Sequence, residues 1–153
     1  MGSRLLLLMI AGMGGCQRQD DGPTLDPAAV RTGRVIYEAR CASCHGAAGQ
    51  ARPDWKVPDE NGNYPPPPHD STGHTWHHAD GLLHRIVATG ASDTVSRRRS
   101  RMPAFGATLT DGEIRAVLTY LKSQWTPAQR IRQAEVSRRD PFMPARDARR
   151  NAP

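Results

Sequence analysis

Apolar side chains recur at steps of three and four in three stretches of the chain, and each stretch carries its own start and stop signals. In the first, Val30, Gly33, Tyr37 and Cys41 share one helical face, and Pro27 suits the first turn of a helix beginning near Pro27 or Ala28. The second runs from about Asp80 to Thr89. Leu83, Ile86 and Val87 form its stripe, Asp80 reads as its N-cap, and Gly90 is placed to end it. The third opens on Thr110-Asp111-Gly112-Glu113, a capping box in which the Thr110 hydroxyl takes the Glu113 amide and Glu113 reaches back. Leu109 and Ile114 are spaced for a hydrophobic staple. Ile114, Val117, Leu118, Leu121 and Trp125 then continue one apolar stripe. Pro127 follows, residues 128–139 can make a short basic helix, and from Asp140 on the sequence predicts disorder.

Between these helices the pattern fades. From Gly46 to Thr75 there is little periodicity, and Pro53, Pro58 and the run Pro65-Pro66-Pro67-Pro68 exclude helix and central strand. A stretch this long without its own secondary structure needs a reason in a compact domain, and wrapping around a cofactor is one. Residues 91–101, with Arg97, Arg98, Arg99 and Arg101, read as a basic surface loop. No strand-like alternation and no internal repeat occurs, so the fold class is all-α.

Composition sharpens this picture. The chain has 153 residues, of which 37% are hydrophobic and only 5% aromatic, a thin supply for a core unless a bound group helps to fill it. The formal charge is +6, with Arg130, Arg132, Arg138, Arg139, Arg146, Arg149 and Arg150 gathered toward the C-terminus. A basic surface suits nucleic acid, anionic lipid or an acidic protein. Without aromatic interleaving or a recognition helix, nucleic acid is not favoured, and a solvated basic tail is the simpler reading.

The N-terminus has another character. Arg4 precedes the apolar run Leu5 to Ala11, which passes into Gly12, Gly14 and Gly15. Residues 1–15 thus have the layout of a secretory signal peptide, too short to span a bilayer as a mature helix. Small residues directly before Cys16 resemble a bacterial lipoprotein signal, which implies lipidation of Cys16, although Met13 stands where such signals usually have leucine. The alternative is an ordinary cleavage site. Lipidation is favoured because Cys16 is otherwise an odd thiol in an exported chain. Residues 16–27 read as a flexible linker, residues 28–126 as the folded domain and residues 127–153 as a basic tail, partly helical or disordered.

Cys41-Ala42-Ser43-Cys44-His45 carries the chemistry. Cys-x-x-Cys-His is the spacing of c-type haem attachment. Two thiols one turn apart can add to the two vinyl groups of a haem, and the histidine that follows then lies under the iron. A thioredoxin-like reading needs a βαβ context, and a zinc site needs further ligands at finger-like spacing; the sequence offers neither.

With that motif in place, about Ala28 to Trp125 resembles the class I c-type cytochromes. The order matches: helix, Cys-x-x-Cys-His, Pro-rich loop, middle helix, Met-Pro loop, C-terminal helix. The resemblance implies a cytochrome c fold of three main helices around one covalent haem c. It implies a close crossing of the first and last helices at Gly33 and Tyr37, with Tyr120 or Leu121 opposite. It also implies that Met102, in Met102-Pro103-Ala104-Phe105-Gly106, is the distal iron ligand opposite His45. Pro103 keeps Met102 out of helical geometry, as an extended presenting loop requires. Met143-Pro144 repeats the dipeptide but has no helix after it. The family's acceptor for the free nitrogen of the proximal histidine is a proline carbonyl after the motif, for which Pro53 is the candidate. His74, Trp76 and Arg85 are candidates for the haem propionates, although Trp76 can equally just pack on the loop. Residues 110–133, and Gly73 to His78 (Gly-His-Thr-Trp-His-His), are further similar to a bacterial subgroup of membrane-associated mono-haem cytochromes.

Function follows as expectation. A His/Met iron has no open position, and that ligand pair raises the potential relative to more strongly donating pairs, which points to one-electron transfer and away from catalysis. The resemblance puts the haem edge near the surface, where a redox protein can dock briefly. Partners are then a membrane oxidase or dehydrogenase, the location is the periplasmic side of a membrane through Cys16, and the state is monomeric. Two alternatives remain: a sensor or enzyme with a labile sixth ligand, and metal handling, for example of copper, by His69, His74, His77, His78 and His84. Hydrogen bonding to propionates and loop carbonyls is the simpler role for those histidines.

Overall fold

A computed structural model describes residues 22–91 and 99–142. The signal segment, Cys16, Arg97, Arg98, the Met143-Pro144 dipeptide, Arg146, Arg149 and Arg150 lie outside the described residues. Among the described residues there are helices and loops and no strand: α1 (Pro27–Arg40), α2 (Ala42–His45), a 3-10 turn (Thr75–His77), α3 (Asp80–Thr89), α4 (Asp111–Ser123) and α5 (Pro127–Ser137). None of these helices is long and apolar enough to cross a membrane.

Local chemistry sets the helix ends. Asp26 caps α1 by accepting from the Ala28 amide, with Pro27 in the first turn. The capping box on α4 forms as expected, and α5 has a second one, Thr126 with Gln129. α3 ends at Gly90, whose φ of 80° is the left-handed setting that glycine adopts without cost. One cap differs from expectation. Ala79, not Asp80, is the N-cap of α3, because the Asp80 carboxylate is drawn inward to Lys122 Nζ at 2.7 Å and Gln133 Nε2 at 2.7 Å.

The core lies where α1 and α4 cross. Tyr37, Leu83, Ile114, Val117, Leu118, Tyr120, Leu121 and Trp125 are buried together. Each large aliphatic among them contributes about 1.5–3 kcal/mol by leaving water. A Cβ on Gly33 would overlap the Ala116 carbonyl, so the backbones of α1 and α4 touch there. Beside it the Tyr37 and Tyr120 rings meet at 5.2 Å between centroids, tilted by 51°. Of the two expected crossing partners, Tyr120 is the one in ring contact with Tyr37. Trp125 belongs to the stripe in burial but not in helix: α4 stops at Ser123, and the indole swings in to donate to the His69 carbonyl at 2.8 Å.

The chain does not lose structure at Asp140. Arg85 donates both terminal nitrogens to the Asp140 carboxylate, at 3.0 and 2.7 Å, and Phe142 packs against the core. Gln133 explains why α5 stays docked. It is only 2% exposed, and its Nε2 reaches the His78 carbonyl, Asp80 Oδ1 and Ser137 Oγ. Sequence periodicity cannot reveal this, since a single buried glutamine carries the contact.

Candidate functional site

α1 ends at Arg40, and Cys41 caps the short helix α2 that carries Cys44 and His45. Its ladder is closed by Cys44 N–H and His45 N–H, both donating to the Cys41 carbonyl at 3.1 and 2.9 Å. Tyr37 ties the turn to α1 by donating its hydroxyl hydrogen to the Gly46 carbonyl at 2.9 Å. Both cysteines are free thiols, Cys44 exposed and Cys41 half-buried. Burial, then the nearby Cys44, pushes the Cys41 thiol up to about 11.

His45 is 7% exposed. Its Nδ1 lies 3.1 Å from the Pro67 carbonyl. A carbonyl can only accept, so Nδ1 carries the proton and Nε2 keeps its lone pair. Burial holds the imidazole below its ordinary pKa, against the smaller opposing pull of the Pro67 carbonyl. With Nδ1 turned to the Pro67 carbonyl, Nε2 is the ring nitrogen left to act as a ligand. Pro67, not Pro53, is the acceptor. The Ala51 amide donates to the His45 carbonyl at 2.9 Å, which folds the chain back tightly and leaves Pro53 exposed on the outside.

Met102 is positioned by a different part of the chain. Its N–H donates to Ser100 Oγ at 3.2 Å, and the segment after it is pinned to the end of α3: Phe105 N–H donates to Val87 O and Gly106 N–H to Ala88 O, at 3.0 and 2.9 Å. Met102 is half-buried. A thioether ligand needs such a fixed approach.

The other sequence candidates are engaged elsewhere. Arg85 is committed to Asp140. Trp76 donates its indole N–H to the Gly73 carbonyl at 3.0 Å and packs on the core, which matches the packing alternative for it. The histidines pack against aromatic rings and against one another. His74 stacks on Trp55 at 5.0 Å and meets His78 edge-on at 5.1 Å. His77 stacks on Trp76 at 3.6 Å, and His84 lies 3.2 Å from Asp111 Oδ1. Among the described residues no group of three or more His, Cys, Asp or Glu is placed to hold a metal ion, so the copper alternative finds no site there. A cavity of about 370 Å³ bounded by Leu25, Lys122, Gln133 and Arg138 lies along α5 and contains none of these residues.

Two contacts escaped the sequence reading. His69 stacks on His45, with centroids 4.1 Å apart and planes 30° apart, and Trp125 holds the His69 carbonyl. The only hint was that His69 directly follows the proline run that supplies Pro67.

An all-α domain whose first and last main helices cross at a glycine, with two thiols and a buried imidazole on the turn between, is a class I c-type cytochrome domain. Residues 28–121, more than half of the chain, match the family described as cytochrome c oxidase, cbb3-type, subunit III, and the chain belongs to that family. No curated protein matches the chain. A cytochrome c domain carries covalent haem c and serves electron transfer. The residues present fit that group: the thiols are free and one turn apart, and the imidazole turns Nδ1 to the Pro67 carbonyl, which leaves Nε2 as the ligand nitrogen.

Proposed function

We propose that this protein is a one-electron carrier in which Cys41 and Cys44 hold the haem, His45 is the proximal ligand and Met102 the distal one. The observation that carries the reading is the Nδ1–Pro67 carbonyl bond at 3.1 Å, which fixes the tautomer that a histidine ligand needs. Cys41 and Cys44 would hold the haem through two thioether bonds, each S–H adding across one vinyl group. When bound, the haem supplies an iron(III)/iron(II) couple. The Pro67 carbonyl makes His45 a better donor, and the loop pinned to Val87 and Ala88 presents Met102 from a fixed backbone. If His45 and Met102 both hold the iron, no position would remain for a substrate, and the group would supply one-electron chemistry without a change of protein ligands.

The setting belongs to the same proposal. Residues 1–15 direct export, Cys16 is lipidated, and the domain works on the periplasmic side of a membrane. The family's printed name points to a membrane oxidase as the electron acceptor. The formal charge of +6 favours steering to an acidic docking face, through the small and short-lived contact typical of redox partners. Carbon monoxide tests the reading. Added to the reduced protein, it leaves the spectrum unchanged if Met102 fills the sixth position. A prompt shift of the Soret band means an open or labile site, and the sensor or enzyme alternative replaces the carrier.

A further inference from the structure

His69 lies beside the iron-ligand candidate, yet neither haem attachment nor iron ligation calls for it. Its backbone N–H donates to the Gly49 carbonyl at 2.6 Å, and its carbonyl accepts from Trp125 Nε1 at 2.8 Å. Its Nδ1 lies 2.8 Å from Thr75 Oγ1, and that hydroxyl lies 3.2 Å from the Pro68 carbonyl. Thr75 is 3% exposed. A threonine hydroxyl has one hydrogen, and the Pro68 carbonyl can only accept it, so Thr75 Oγ1 accepts from His69 Nδ1–H. The His69 backbone is thus held by Gly49 and Trp125, and its ring by Thr75, whose own hydroxyl is anchored on the Pro68 carbonyl.

That ring covers one face of His45, 4.1 Å between centroids. The Pro67 hydrogen bond alone does not fix the His45 plane, because acceptance at a carbonyl oxygen tolerates a broad range of directions. An iron-bound imidazole held only at Nδ1 can still swing about the iron–nitrogen bond. A rigid ring against its face removes that freedom. Pro67 and His69, two residues apart in one loop, therefore grip His45 at an edge and at a face.

We propose that His69 is a positioning residue that sets the plane of the His45 imidazole about its bond to iron. This rests on His45 being the proximal ligand. The plane of an axial imidazole decides which iron d orbital it overlaps, and so sets the magnetic anisotropy of the oxidised centre. The supporting residues of a metal ligand act in this way, through the ligand they hold.

The test uses the mature haem protein, with electron paramagnetic resonance and proton NMR of the oxidised form. The g-values and the spread of the haem methyl resonances both report the imidazole plane. His69→Ala is expected to shift both. His69→Phe keeps a ring face and is expected to stay near wild type. Thr75→Val, which frees the ring but retains it, is expected to fall between them and to broaden the signals. Spectra of His69→Ala superimposable on wild type overturn the proposal, as does a His69→Phe spectrum displaced as far as that of His69→Ala. If His69→Ala takes up no haem, Thr75→Val decides: a shift supports the proposal, and a wild-type spectrum overturns it. The wild-type protein alone reports on the underlying ligand reading. An oxidised centre that is not low-spin and histidine-bound defeats that reading before any variant is compared.

Discussion

Gly33→Ala adds one methyl group where α1 and α4 cross. In an ordinary helix interior this change is favourable by about 1 kcal/mol, because alanine is the better helix former. At Gly33 the sign reverses. The new Cβ would sit on the Ala116 carbonyl and close to the Val117 amide, backbone atoms that no rotamer change can move aside. Real Cβ atoms essentially never come within 3.0 Å of such neighbours, so the helices must part by more than about one ångström. Parting them loosens Tyr37 from Tyr120 and opens the seam around Ile114 and Val117, which are 1% and 3% exposed. Overpacking of this kind costs about 1–3 kcal/mol, and the helix-propensity gain offsets part of it. Because the overlap is with backbone, the cost falls at the upper end of that range, and the expected net loss is about 2 kcal/mol, at roughly 4–8 °C in Tm per kcal/mol for a domain of about 100 residues. Thermal unfolding of the mature haem protein, followed at the Soret band and by far-ultraviolet circular dichroism, reads it directly. An unchanged or raised Tm for Gly33→Ala refutes the close crossing.

Three further outcomes follow from the packing and the charges. Lys122→Met leaves the Asp80 carboxylate, whose side chain is 13% exposed, without its cation, and should cost about 3–5 kcal/mol in denaturant unfolding. A loss below about 1 kcal/mol means that Gln133 alone satisfies Asp80. Asp140 is held below the usual carboxylate range, chiefly by its hydrogen bonds from Arg85. Its stabilisation is therefore present above the unfolded value of about 3.9 and is lost as pH falls through the lower folded value. Asp140→Asn should melt below wild type at pH 7, and the gap should close toward pH 2; a gap that widens in acid contradicts this sign. Trp125→Phe keeps the ring in the core but leaves the His69 carbonyl without its donor, for an expected loss of about 1–3 kcal/mol in the same unfolding assay. A Trp125→Phe protein as stable as wild type means that the bond contributes nothing net.

Local signals carried the helices into the sequence. The Thr110–Glu113 box, Gly90 and the apolar stripes are short-range patterns: α4 starts at its box and α3 ends at Gly90, whereas the α3 cap falls at Ala79 rather than Asp80 and α4 stops at Ser123, short of Trp125. Cys41, Cys44 and His45 were legible for the same reason, since five consecutive residues hold the whole motif. What escaped the reading depends on how the long proline loop folds back. Pro53 and Pro67 are equally good acceptors on paper. The Ala51 amide turning onto the His45 carbonyl is what leaves Pro53 outside and gives the role to Pro67. Arg85 read as a propionate partner because Asp140 lies 55 residues away, and its ion pair depends on α5 docking through the buried Gln133. His69 was one histidine among several until Trp125, Thr75 and Gly49 fixed its place.

The most direct test of His/Met ligation is the near-infrared spectrum of the oxidised protein, in wild type and in Met102→Ala. A methionine–iron(III) bond gives a weak charge-transfer band at long wavelength. Ligation by His45 and Met102 predicts that band in wild type and its loss in Met102→Ala, together with new carbon monoxide binding by the reduced variant. A wild-type spectrum without the band, or a Met102→Ala spectrum that keeps it, contradicts Met102 as the ligand and the closed carrier site with it.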